Sequence, residues 1–350
     1  MTTSEQIKEL APFGFSARQA RFLSIVMRHS GVCVQRQYAA FAGVVQGQKT
    51  RAFFARLERR GYATAYSCRR NRGRIYHLHH FGLYCAIGEA GSRYRRPVSV
   101  GRTPQRLTLL DALLADADTR WLATESELRN HLSSLGSASA GAVPTSIGRR
   151  SSMLAGPRSD TVRIGIDSTG RTISLYLAAA GSREDLRAFL WRSAPAVSRL
   201  PSWTLRLVFP RVVLPAYEDY QRVVREEWEM PFHAHTREEL IRHFEHRRTV
   251  RQAASPDVAG CPERQPFAFD GPRFDRLYRR WLRGGAAALN DEAPQMISHA
   301  LATGSGRIEA VTLNHAYEHL SPVVIGPEEV LITAANDHDT PARATSGPSA

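Results

Sequence analysis

A short amphipathic run that ends in glycine and passes straight into an arginine-tipped hairpin dictates the local architecture near the start of this chain. From Gln48 to Arg60, the apolar residues Phe53, Phe54 and Leu57 recur at three- and four-residue spacing, which gives a helix one buried side. Gly61 stands where a helix ends with left-handed backbone. Two β-forming stretches follow, Tyr62–Cys68 and Arg74–Leu78, joined by Arg69-Arg70-Asn71-Arg72-Gly73; Asn, Gly and charge together mark a hairpin tip.

The preceding residues supply the rest of a small domain. Ser16 is placed to cap a helix over Ala17–His29, in which Ala20, Leu23, Val26 and Met27 form one apolar stripe. Val32–Val34 reads as a short strand and Arg36–Ala42 as a second helix, with Gly43–Gly47 as a turn. A last helix runs from His80 to about Glu89. Helix, strand, helix, turn, helix, strand, basic hairpin, strand, helix is the order of a winged helix-turn-helix.

Charge sharpens the reading. Residues 1–110 hold 19 Lys and Arg against Glu5, Glu9, Glu58 and Glu89, whereas residues 111–350 hold 28 basic and 29 acidic residues. The whole positive excess of the chain sits on one segment, as a polyanion partner requires. The third helix offers Gln48, Lys49, Thr50, Arg51 and Arg56 as candidate DNA contacts, with Arg59 also available; its first turn is where base contacts usually arise. The hairpin offers Arg69, Arg70, Arg72 and Arg74, which would hold phosphates and position the protein without reading bases.

The stretch from Ser16 to Glu89 resembles the winged-helix start of the replication-relaxation-like proteins of plasmids and mobile genetic elements. The similarity rests on Ser16-Ala17-Arg18-Gln19, on Arg56-Leu57-Glu58-Arg59-Arg60-Gly61-Tyr62, and on Ile75-Tyr76-His77-Leu78-His79-His80-Phe81-Gly82-Leu83-Tyr84. The last string matches a turn that closes the wing, with His79 where the family usually has Thr. The resemblance implies DNA binding in plasmid or mobile-element maintenance, or transcription regulation there.

The remainder divides, by pattern, into a basic linker at 91–105, an α/β domain at 106–215, a mainly helical region at 216–333 and a disordered tail at 334–350. Within the α/β domain, helices are expected at Arg106–Ala117 and Glu125–Leu135, and a loop at 136–159. Strands Val162–Ile166 and Thr172–Leu177 then flank the turn Asp167-Ser168-Thr169-Gly170, followed by a helix at Arg183–Ser193 and a strand at Trp203–Phe209. Strand, turn, strand, helix, strand is the core order of restriction-endonuclease-like folds, and similar segments follow the winged helix in the family just named. Hydrolysis in that class needs carboxylates around a divalent metal and an acid-x-Lys pair on the second strand. Thr172-Ile173-Ser174-Leu175-Tyr176-Leu177 supplies neither, which leaves Asp160 and Asp167 as the only acids of residues 160–210 that do not open a helix. Farther on, helices are expected at about Ala216–Glu229, Arg237–Gln252 and Arg273–Arg283, and 253–272 as loop.

The fold class is therefore α+β: an N-terminal winged helix-turn-helix, a small α/β domain of degenerate nuclease-like pattern, and C-terminal helices. The function expected is sequence-specific binding of double-stranded DNA without catalysis; a basic module docking on protein or RNA, and a metal-dependent nuclease, are the alternatives. No cofactor is expected, and a homodimer is left open. Cys68, His77, His79, His80 and Cys85 match no common zinc spacing, and His233, His235, His243 and His246 read as surface residues, so no metal is expected either. No apolar run reaches the ~20 residues of a membrane span. The start MTTSEQIKEL lacks the basic and apolar regions of a signal peptide, and the four scattered cysteines suit a reducing compartment, so the expected location is cytoplasmic, with no membrane partner.

Overall fold

The computed structural model describes residues 1–68, 73–116, 118–138, 161–178, 182–229, 234–253, 269, 271–290, 293–315 and 317. Helix α1 (Thr3–Leu10) opens the chain with a capping box between Thr2 and Glu5. Helix α2 (Ala17–His29) starts where the sequence places it: the Ser16 hydroxyl accepts from the Gln19 amide and the Gln19 side chain accepts from the Ser16 amide. Strand β1 (Val32–Val34), helices α3 (Gln35–Ala42) and α4 (Gln48–Arg59), strands β2 (Ala63–Ser67) and β3 (Arg74–Leu78), and helix α5 (Phe81–Ala86) follow. The strands form an antiparallel sheet in the order β1-β3-β2. Phe22, Leu23, Phe53, Phe54, Leu57, Tyr76 and Tyr84 fill the core between it and the helices.

Residues 91–105, expected as a linker, pack closely on this unit. Tyr94 and Val98 are buried, and a Cβ at Gly31, whose φ is +74°, would fall 2.3 Å from the Tyr94 carbonyl oxygen. The next helix, α6 (Thr103–Ala115), begins three residues before the expected Arg106. Its Leu107 and Leu110 join the N-terminal clusters, and its Leu109 and Leu113 join the face of a second sheet. A helix apolar all round is a buried helix; α6 is a shared wall, so no break falls at residue 105.

The second sheet has the order β4-β5-β6-β7-β8, made of β4 (Arg120–Leu122), β5 (Val162–Ile166), β6 (Thr172–Leu177), β7 (Trp203–Pro210) and β8 (Gly306–Leu313). The first three strands are antiparallel, and β6, β7 and β8 are parallel. Strand alternation divides the side chains: Trp203, Leu205, Leu207 and Phe209 face helices α8 (Arg183–Val197) and α9 (Tyr217–Val224), while Ile173, Leu175, Leu177 and Val208 face α6. Helix α7 (Glu125–Ala138) follows β4, and a π-helical turn, Arg225–Glu229, extends α9.

The expected helical region 216–333 is not separate. Helices α10 (Ala234–Ala253) and α11 (Pro272–Gly284) make a small core of Leu240, Phe244, Tyr278 and Trp281. Helix α12 (Ala293–Thr303) then leads into β8, which pairs with β7 over eight residues. The expected loop and tail residues 139–160, 254–268 and 334–350 lie outside the described residues. Among the described residues no helix is long and apolar enough to cross a membrane.

Candidate nucleic-acid interface

Helix α4 is held by one side. Thr50, Phe53, Phe54 and Leu57 are buried, and Phe54 packs against Tyr76 at 4.4 Å between ring centroids. The opposite side carries Gln48, Lys49, Arg51, Ala52, Ala55 and Arg59, all exposed. The turn that leads into it exposes Gln46 and leaves Val45 90% accessible. Gly43, with φ +62°, makes that turn. Lys49, Arg51 and Arg59 thus share an exposed side with a glutamine and two small residues.

Two of the expected contacts belong elsewhere. Thr50 has 0% exposure, one helical turn before Phe53 and Phe54, and cannot reach a groove. Arg56 turns back across the helix: its guanidinium donates to the Gly14 carbonyl at 2.9 Å and to the Gln19 side chain at 2.7 Å, and lies over the Phe15 ring at 5.1 Å. It clamps the α1–α2 connection to α4. The residues missed by sequence reasoning are Ala52 and Ala55. Their position four and seven residues after Gln48 puts them on the exposed face, and small side chains there let a helix backbone approach a surface closely.

The hairpin is closed by the Cys68 amide donating to the Gly73 carbonyl at 2.9 Å. Arg69, Arg70 and Arg72 lie outside the described residues. Arg74 starts β3, is about half exposed, and lies 3.4 Å from Glu58. The acids of this unit are largely committed: Glu5 caps α1, Glu58 meets Arg74, and Glu89 pairs with Arg28 at 3.3 Å. Little negative charge remains near the exposed side of α4.

His77, His79, His80 and Cys68 have structural roles. His77 bonds the Tyr94 carbonyl, and burial first, then the charge of His79, lowers its pKa to about 4. His79 bonds the Thr64 hydroxyl at 2.9 Å, and the His80 ring caps α5 by accepting from the Leu83 amide. Cys68 is buried against Ile75 and Leu107, whereas Cys85 is exposed. Among the described residues no three His, Cys, Asp or Glu side chains are grouped to hold a metal ion.

In the second sheet, the Asp167 carboxylate accepts from the Thr169 amide, the Thr169 hydroxyl and the Arg171 amide, so it is absorbed in its own turn; these bonds lower its pKa against the opposing effect of burial. Asp185 closes the Ser182 capping box at the start of α8. Asp160 and His233 lie outside the described residues. His243 packs against Phe244 and Phe269, and Trp281 is a core residue of the α10–α11 pair with Arg248 over its ring. Ser305, between Gly304 and Gly306, accepts at its carbonyl from the Trp203 amide as β8 begins.

No family model, curated protein or solved structure matches this chain.

Proposed function

We propose that residues 1–90 form a winged helix-turn-helix that binds double-stranded DNA sequence-specifically, with α4 in the major groove and the β2–β3 hairpin along the flanking backbone. The observation that carries this reading is the outward stripe of α4: Gln48, Lys49, Arg51 and Arg59 exposed around Ala52 and Ala55, on the one segment that holds the chain's positive excess. Long polar side chains read base edges, and alanine both permits close approach and meets a thymine methyl. The similarity to replication-relaxation-like proteins supports a role as regulator or accessory factor in plasmid or mobile-element maintenance. Selection of bound sequences from a random duplex library by the full-length protein tests it: an enriched motif is expected, and a library that stays random would refute sequence-specific reading.

Helix α6, the antiparallel strands β4, β5 and β6, helix α8 and the parallel strand β7 follow a nuclease-like core order, with α7 inserted. Hydrolysis would need clustered carboxylates, and Asp167 is engaged in its turn. The domain is therefore read as a scaffold that does not cut; supercoiled DNA incubated with the protein in magnesium or manganese should stay intact.

A further inference from the structure

Tyr317, the last described residue, is anchored on the N-terminal unit. It is 4% exposed, in a cluster with Val32, Cys68, Ile75 and Leu107. Its hydroxyl donates to the Asp111 carboxylate at 2.8 Å and accepts from the Arg36 guanidinium. Cys68 directly follows β2 and Ile75 lies in β3, so the chain arrives at the base of the hairpin. Next to Ile75, Tyr76 packs on Phe54 of α4 at 4.4 Å between ring centroids. The exposed side of α4 lies one helix diameter, about 10–12 Å, beyond that contact.

The sequence beyond Tyr317 is acidic. Residues 318–350 hold Glu318, Glu328, Glu329, Asp337 and Asp339 against the single base Arg343, and Glu328-Glu329 runs directly into Val330-Leu331-Ile332. The exposed side of α4 presents the complement: Lys49, Arg51 and Arg59 around Ala52 and Ala55, with Val45 90% accessible just before the helix. Among the described residues no acid pairs with those three cations. The eleven residues from 318 to 328 can span up to about 35 Å, roughly three helix diameters. A tether of that length holds the carboxylates at an effective concentration in the millimolar range. Exposed ion pairs contribute little one at a time, and tethering several of them together is what makes such a contact populated.

We propose that the acidic segment 318–350 docks on the exposed side of α4, with its carboxylates on Lys49, Arg51 and Arg59, and so competes with duplex DNA for that side. The competition rests on the DNA-binding reading given above, whereas the docking does not. A tethered polyanion lowers the affinity for every duplex alike, so it leaves base preference unchanged. Salt screens the contact and weakens the competition.

The docking is tested without DNA. Lys8 and Lys49 are the only lysines of the chain, and both are exposed. A carbodiimide, which joins an amine directly to a carboxylate, is applied to the full-length protein at low salt, and the linked peptides of the monomer are identified by mass spectrometry. Lys49 should be joined to a carboxylate of residues 318–350, Lys8 should not, and the link should fade at about 0.5 M salt. The competition is tested with a full-length variant carrying Glu318→Gln, Glu328→Gln, Glu329→Gln, Asp337→Asn and Asp339→Asn. The control of equal charge replaces Glu184, Glu218, Glu238, Glu239 and Glu245, exposed on α8, α9 and α10, with Gln. At low salt the first variant should bind random duplex about three- to tenfold more tightly than the control, and the gap should close as salt rises. No Lys49 link to the segment, an equal yield from Lys8, a Lys49 link confined to dimers, or equal affinities of variant and control would overturn the proposal. Loss of duplex binding in all three proteins would refute the DNA reading instead, and the Lys49 link would still decide the docking.

Discussion

The guanidinium of Arg163, on β5 of the second sheet, donates to the carbonyl oxygen of His29, the last residue of α2, at 3.2 Å. The same side chain reaches the Tyr94 hydroxyl at 2.5 Å and its neighbour's carbonyl, that of Val162, at 2.7 Å. A cation at the C-terminal end of a helix is well placed against the helix dipole, and the buried arginine ties β5, α2 and the 91–105 segment together. Arg36, Asp111 and Tyr317 make a second tie, from α3 through α6 to the residues after β8.

Arg163→Met keeps the stem and removes these bonds. It should destabilise the protein by about 1.5–3 kcal/mol, the range for hydrogen bonds made by a charged group. Urea unfolding followed by tryptophan fluorescence, which reports chiefly on the sheet, and by circular dichroism should change from coincident to separated transitions. Coincident curves with an unchanged midpoint would show that Arg163 does not couple the units.

The two displaced residues of α4 give opposite expectations. Arg56→Ala should cost about 1–3 kcal/mol of stability through the lost bonds to Gly14 and Gln19, and weaken all duplexes only as far as the fold suffers. Thr50→Val should be neutral or stabilising by about 1 kcal/mol, because the buried Thr50 hydroxyl has no partner among the described residues, and should leave DNA affinity intact. Thermal denaturation and a duplex-binding titration on each variant check both. A loss of base preference in Thr50→Val at unchanged stability would restore Thr50 to the interface.

The element bounds between Ala17 and Leu78 are largely legible because their signals are local: a serine cap, a glycine stop and a helical stripe each lie within a few positions of what they decide. Helix α1 (Thr3–Leu10) is not expected from the sequence, and the hairpin tip at 69–72 lies outside the described residues. The misplacement of Thr50 was avoidable, since Thr50, Phe53, Phe54 and Leu57 already share the i, i+3, i+4, i+7 spacing of one face. Arg56 was not avoidable, because its partners Gly14 and Gln19 are brought to it by tertiary packing. Strand β8 was hidden for a different reason. Gly306–Leu313 is an edge strand with mostly half-exposed side chains, so it lacks a strong alternating pattern, and its partner β7 lies about a hundred residues earlier.

Buried neutral histidines give the protein an acid-sensitive stability. His77 is lowered to about 4 and His29 is also lowered, each chiefly by burial. An unfolded histidine protonates near pH 6.5, so the stability is fully present above that value and is lost as the pH falls toward about 4. For His77 alone the loss amounts to roughly 3 kcal/mol over that window. Urea midpoints at pH 7.5 and pH 5 should show the drop, and His77→Gln should flatten it. Equal pH slopes for the two proteins would mean that His77 is not the group responsible.

Replacing Arg69, Arg70 and Arg72 together with Ala should weaken every duplex by a similar factor, because phosphate contacts carry no base information. Lys49→Ala and Arg51→Ala should act on particular base positions, by about 1–3 kcal/mol where a paired contact is lost. A wing variant that alters base preference while the α4 variants do not would reverse these roles.

The direct test of DNA recognition by this unit is the affinity of the full-length protein for duplex DNA as a function of salt, since α6 packs into the N-terminal core and a cut at residue 110 would pass through that helix. About six phosphate contacts should give a slope near −5 in log affinity against log salt. The wing triple variant should flatten that slope by about one unit per lost contact. An affinity that ignores salt, and that neither the triple variant nor Lys49→Ala with Arg51→Ala changes, would contradict DNA binding by this surface.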